Sequence, residues 1–339
     1  MGANMVKLLT AALVALLLWS GWWWIGATAH QKGWDLWLQD RRAAGWVAEY
    51  ADLGVSGYPN RIDTTLSDLR LADPASGWAW SAPVFQILSL SYKPNHVIAV
   101  WPGSQKVSGP GGTASVEGTP LRGSLVFVPN TDLALDRLQI ETENLAITGP
   151  DWTVSLAGAN LAARRSVAGT APEHSYDLAV DMRALSLPEF YKSTIDPAGI
   201  LPDVFETATL NMTVDYDAPW DRHAIEGRKP QPEAISVRSL NLVWGQLSLN
   251  LRGKVDLDRD GFPTGDLTIK ARNWRDILNL ATAAGWMPQS LADSLKSGLG
   301  LLAGLSGDPR SIDIPLTFAN RMIALGPIEL GPAPRLRTD

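Results

Sequence analysis

Asp256, Asp258 and Asp260, followed by Gly261, form the stretch of this chain nearest to a metal-binding motif. D-x-D-x-D-G is the first half of a calcium loop, in which alternating carboxylates converge on one ion and the glycine makes a sharp turn. The second half fails. The position where a bidentate acid is required holds Leu267, and Asp266 falls one short. The run F-P-T-G-D-L-T-I that follows alternates like a strand. The segment therefore reads as a β-hairpin turn at Asp258–Gly261.

The other candidates for chemistry are scattered. His30, His96, His174 and His223 lie far apart, and none has a second His at ligand spacing. His96, in S-Y-K-P-N-H-V-I-A-V-W-P, opens a strand and reads as the cap of a turn. There is no G-x-x-x-x-G-K-[ST] phosphate loop and no G-x-S-x-G nucleophile elbow. Ser108-Gly109-Pro110-Gly111-Gly112 is glycine-rich, but its proline removes a donor N–H, and it predicts a floppy loop. Glu141 and Glu143 share one face of a strand, which reads as a solvated face. The chain has no Cys, hence no disulfide, thiolate nucleophile or cysteine metal site. The expectation is a non-enzymatic protein without catalytic residues, metal or cofactor.

Charge narrows the partners. A net charge of −6 and a pI near 5.3 lack the basic footprint that nucleic acid requires. They also argue against a body that clings to anionic headgroups. With 339 residues, 45% of them hydrophobic, the chain can bury a sizeable core without disulfides.

The elements that would carry such a body begin with one apolar run. Leu8–Ile25 holds no charge and follows Lys7 directly. Its 18 residues, at about 1.5 Å rise each, nearly cross a bilayer core of roughly 30 Å. Leu8 and Leu16 lie in its aliphatic part. Trp19, Trp22, Trp23, Trp24 and Ile25 crowd its far end, where indoles favour the membrane–water boundary. Ala27-Thr28-Ala29 fits a signal-peptidase site, so cleavage after Ala29 is one reading. The length of the run and the tryptophans just upstream favour the other, an uncleaved signal-anchor over residues 1–29. Either way residues 30–339 form an exported body, and the basic start of the anchor places the N-terminus inside.

After the anchor, Gln31–Tyr50 reads as a helix with Trp34, Trp37, Leu38, Arg41, Gly45 and Ala48 on one stripe. Its polar face carries Asp35 and Asp40 rather than a Lys/Arg excess, which favours packing on the body over lying on a membrane. From Thr64 the period changes to two, in runs such as T-L-S-D-L-R-L-A, Y-D-L-A-V-D-M and A-I-S-V-R-S-L-N-L. Such runs bury one face and wet the other, as antiparallel strands do. Leu69–Leu71, Leu145–Ile147 and Leu240–Leu242 each precede a Trp and another alternating run, which suggests repeated hairpins. In Leu247–Leu257, the side chains of Leu247, Leu249, Leu251, Val255 and Leu257 share a face with Gly253, and polar residues share the other. Helices are predicted again at Trp274–Ala284 and Ser290–Leu302, then a hairpin from Leu316–Phe318 and Met322–Ala324. The proline- and glycine-rich stretches 102–112 and 217–232 read as loops, the second as an internal boundary.

Several strings together resemble one bacterial family. They are Gly57-Tyr58-Pro59-Asn60-Arg61, Trp78-Ala79-Trp80-Ser81-Ala82-Pro83 with Ser91–Pro102, and Gly261-Phe262-Pro263-Thr264-Gly265 leading to Asn273-Trp274. Ile314–Phe318 and Leu325–Ile328 complete the set. The family is domain of unknown function 2125, and the resemblance covers essentially the whole chain, anchor included. It implies a single-pass inner-membrane protein of Gram-negative bacteria with a β-rich periplasmic body, and it brings no catalytic residue. The architecture also resembles AsmA-like envelope proteins, in which an N-terminal anchor precedes long β-meanders that form a lipid-conducting groove.

These readings converge on a mainly β fold: one transmembrane helix, then an elongated, curved antiparallel meander with a few packing helices. The expected function is lipid handling or cell-envelope maintenance, with Leu247, Leu249, Leu251, Val255 and Leu257 lining an apolar groove. The alternative is a scaffold that binds other envelope proteins and buries that face under its own helices.

Overall fold

A computed structural model describes residues 2–119, 121–197, 199–305 and 307–337. They are mainly β, with one N-terminal apolar helix, a long antiparallel sheet and a few further helices. The chain forms two compact units. One holds Met1–Val126 with Ile147–Pro150, the other Phe127–Ala146 with Asp151–Asp339.

The first unit opens on α1 (Gly2–Ala43), a single helix of 42 residues. No break separates the apolar run from the segment after residue 30, because nothing between them stops a helix: the sequence there has Ala27 and Ala29 and no proline. The helix also ends earlier than the apolar stripe predicts. Gly45 sits at φ +87°, the left-handed conformation that closes helices, and Val47–Glu49 becomes strand β1. After it come β2 (Asp52–Ser56), β3 (Arg61–Asp73), β4 (Trp78–Leu90), β5 (Lys93–Trp101), β6 (Gln105–Gly109), β7 (Gly112–Glu117) and β8 (Leu121–Phe127). β1 and β2 pair with β3, β3 with β4, and β4 with both β5 and β6.

The C-terminal half of α1 covers this sheet, as its stripe predicts. Leu38 is fully buried against Leu66, Leu69 and Phe85, with Trp34, Trp80 and Trp101 around them. Trp34 and Trp80 both meet Phe85 edge-on, at centroid distances of 6.2 and 5.5 Å. Ser108–Gly112 is not a floppy loop. It is a hairpin, with Gly109 opposite Gly112 and the Ser108 and Thr113 hydroxyls 2.8 Å apart. Pro110 and Gly111 form its two-residue turn, where the missing N–H of the proline costs no ladder bond.

The second unit is a meander. Its strands are β9 (Leu135–Thr148), β10 (Thr153–Arg165), β11 (Ser175–Ser186), β12 (Val204–Tyr216), β13 (Pro232–Trp244), β14 (Leu247–Leu257), β15 (Pro263–Arg272), β16 (Ser311–Ala319), β17 (Met322–Leu325) and β18 (Ile328–Pro332). From β10 to β18 each pairs antiparallel with the next. Residues 217–232 join β12 to β13, and the Asp217 carboxylate accepts from the Gln231 N–H at 2.8 Å. Helices α2 (Glu189–Ile195), α3 (Arg222–Glu226), α4 (Trp274–Ala283) and α5 (Gln289–Leu305) occupy the longer connections. Trp274, Leu295, Leu299 and Ala303 pack against Ala271, Ile314 and Leu325, so α4 and α5 roof the β15–β17 end.

Candidate functional site

The two sets of residues singled out by sequence fall in different units. In the first, Lys7, Leu8 and Leu16 stand exposed on the free half of α1. That helix is long and apolar enough to cross a membrane, consistent with a single-pass anchor. The tryptophans do more than ring it. Trp19 donates its indole N–H to the Pro59 carbonyl (2.9 Å), Trp22 to Ser91 (3.2 Å) and Trp23 to Arg61 (2.5 Å). Tyr58 meets the Trp23 ring edge-on at 5.5 Å, and its hydroxyl lies 2.9 Å from that of Ser20. Trp24 and Ile25 remain exposed. A side chain on Gly26 would place Cβ 2.8 Å from Ile62 Cδ1, so helix and strand approach closely there.

In the second unit, β14 alternates as expected. Leu247 packs with Trp244, Ile195 and Leu201. Leu249 lies against the α4–α5 cluster, while Leu251 and Val255 join Leu267, Phe318 and Ala333. Leu257, at the strand end, is partly exposed. The far end of the face is thus covered by the protein's own helices and tail.

The register reveals what single strands do not. Leu161 stands opposite Val180, Val180 opposite Leu210, Leu210 opposite Leu240, Leu240 opposite Leu251, Leu251 opposite Ile269 and Ile269 opposite Ile314. One aliphatic row therefore crosses seven strands, about 29 Å at ~4.8 Å per strand. A second row, Ala163, Leu178, Met212, Val237, Gly253, Leu267 and Leu316, runs beside it. Gly253, at φ +142°, carries no side chain because a Cβ would meet the Asp266 carbonyl oxygen at 2.3 Å.

Burial varies along these rows. Leu161 is exposed, and Leu178, Val180, Leu210, Met212 and Leu240 are only partly buried. Ile314, where the first row ends, is 5% exposed. To one side Tyr176, Val214 and Val255 are buried, and to the other Ala208 and Ala271. Beside β10–β13 the flanks are buried at Tyr176, Val214 and Ala208, while Met182, Ile235 and Leu242 are only partly buried like the rows themselves. Ile314 also lines a cavity of about 660 Å³ beside α5, along with Ala271, Leu302, Ala303, Lys270 and Arg272.

The opposite face of the same strands is polar. Asp177 accepts from Thr213 (2.8 Å) and Arg238 (3.1 Å), and pairs with Arg164 at 3.3 Å. Partial burial pushes its carboxyl up, but the bonds from Thr213, Arg238 and Arg164 outweigh it and hold the group below the usual 3.8. A β-bulge at Arg238 makes the face possible. β13 inserts one extra residue between Val237 and Leu240, so both keep to the apolar side while Arg238 reaches Asp177. Sequence alternation alone misses this, since the bulge breaks the period within S-V-R-S-L-N-L.

The remaining candidates fall elsewhere. Asp258 makes the expected turn: its carboxylate accepts from the N–H groups of Asp260 and Phe262, both at 2.9 Å. Those backbone bonds, that from Phe262 foremost, hold its carboxyl below the usual value. Arg321 lies 3.7 Å from it and 2.5 Å from Asp260. His96 bonds across the ladder to the Ser124 hydroxyl at 2.9 Å. Glu143 is exposed on β9. Among the described residues no group of three or more His, Asp or Glu is placed to hold a metal ion.

Comparison with known families supplies one match. The model described as "Uncharacterized protein conserved in bacteria (DUF2125)" matches residues 23–334. The match begins inside the tryptophan run, so the aliphatic part of the anchor lies outside it. No curated protein matches the chain.

Proposed function

We propose, for a chain that belongs to the uncharacterized bacterial family DUF2125, a non-enzymatic role in handling lipid at the inner membrane. In this reading α1 anchors the protein and the body stands in the periplasm. The observation that carries it is the partly exposed aliphatic strip across β10–β13. Side chains of this kind are ordinarily buried, and a contiguous exposed apolar patch marks an interaction site. The central row offers no side-chain polar atom for a partner to satisfy. An acyl chain needs none, and each methylene laid there contributes about 0.8 kcal/mol.

Site-specific photo-crosslinking in cells tests this on the full chain. A benzophenone amino acid is placed at Leu210 or Leu240, with Asn211 and Asn241 as opposite-face controls. Phospholipid adducts, read by mass spectrometry, are expected at 210 and 240 and not at 211 or 241. Protein adducts at 210 and 240 without lipid would instead support the scaffold reading.

A further inference from the structure

We infer that the first unit is set into the headgroup layer of the membrane, through a collar formed by Trp19–Trp24 of α1, the turn at Gly57–Arg61 and the β4–β5 hairpin end at Ser91–Pro94. This rests on α1 spanning the bilayer, and it concerns a surface separate from the strip.

The argument is one of length. Between Lys7 and Trp19 the helix offers only Leu8–Leu18 as uncharged lipid-facing residues. Those eleven residues reach about 17 Å at ~1.5 Å each, well short of a core of roughly 30 Å. The apolar length reaches about 27 Å only when Trp19–Ile25 is counted, so this tryptophan stretch carries the helix out through the membrane–water boundary rather than standing clear of it. Yet Trp19, Trp22 and Trp23 are the residues whose indoles are bonded to the Pro59, Ser91 and Arg61 carbonyls. Wherever those indoles sit, the two turns sit beside them.

The turns have the chemistry for that depth. Tyr58 and Tyr92 are 51% and 57% exposed, although both are large aromatics. Pro59, Asn60, Lys93 and Pro94 are exposed around them. Tyrosines favour the interface, and a lysine reaches from there to lipid phosphate. The turns are also braced from within. Asn60 accepts through its carbonyl from the Ser91 N–H at 2.9 Å and from the Ser91 hydroxyl at 3.1 Å. The collar is thus one assembly of helix and two loops. The overall negative charge does not oppose it, since contact is confined to an aromatic tip.

The absence of Cys gives a clean test. The full chain is reconstituted in vesicles of phosphatidylethanolamine and phosphatidylglycerol, with a fluorophore on one introduced cysteine. Three variants are compared: Leu13→Cys in the span, Asn60→Cys in the collar, and Asp260→Cys on the hairpin of the second unit. Asn60 joins the brace through its backbone only, so that substitution preserves it. The Asn60→Cys probe is expected to be quenched by lipids spin-labelled near the headgroup. It is also expected to be several-fold less quenched by aqueous iodide than the Asp260→Cys probe. Replacing Trp19, Trp22 and Trp23 together by Phe, which removes the donors and keeps the rings, should return iodide access at Asn60→Cys. If Asn60→Cys is as open to iodide as Asp260→Cys while Leu13→Cys stays protected, the collar is overturned and the span stands. If Leu13→Cys is itself open to iodide, the span fails and the collar with it.

Discussion

Leu210 and Leu249 lie on one face of the second unit's meander, but only Leu249 is packed under α4 and α5. The two should answer oppositely to the same substitution. Leu249→Asp places a carboxylate inside the α4–α5 cluster without a partner, at a cost of several kcal/mol, and urea denaturation should show the loss. Leu210→Asp points its carboxylate at the open strip and should leave the urea midpoint nearly unchanged. Equal destabilisation by both would mean that the strip is covered by protein along its whole length.

Leu38 tests the other core. It is fully buried where α1 meets the sheet of the first unit. Leu38→Ala should cost about 2–5 kcal/mol, measured by denaturant unfolding in detergent. A helix that merely trails from the body would show almost no change.

The Asp258 turn predicts indifference to calcium. Its carboxylate already holds two backbone N–H groups, and Arg321 lies against the same hairpin. Asp258→Ala should lower the melting temperature, and calcium should shift neither parent nor variant. A calcium-dependent rise in the parent would indicate a bound ion, because a ligand of the native state alone must stabilise it.

Asp177 gives a pH dependence with a definite sign. Its folded pKa lies below the unfolded value of 3.8. The stability it adds is therefore fully present above about pH 4 and is lost as pH falls through the folded pKa. Asp177→Asn should flatten the acid limb of the stability–pH curve and leave its slope between pH 6 and 8 unchanged.

Sequence patterning reached most of the strands, because each needs only its own alternation. The faces of β14 followed directly from Leu247, Leu249, Leu251 and Val255. The Asp258 turn was legible for the same local reason. What was not legible depends on pairing. Leu161, Val180, Leu210 and Leu240 come from four separate segments, and their alignment requires the register of β10–β13 and the extra residue near Arg238. The tryptophans were legible as a cluster at the end of the apolar run. That three of them donate to carbonyls at residues 59, 61 and 91 was hidden, since the partners are backbone atoms some 40 to 70 positions away.

The unbroken course of α1 has a mechanical consequence. The helix is bolted to the first unit near Trp23 and again at Leu38, with no joint between them. Helices whose apolar length does not match the local bilayer respond by tilting. In a hinged anchor such a tilt is absorbed by the linker. If α1 spans the bilayer as proposed, the helix acts as a lever: every degree of tilt in the lipid would turn the first unit through the same angle, and the thickness of the bilayer would set the attitude of that unit.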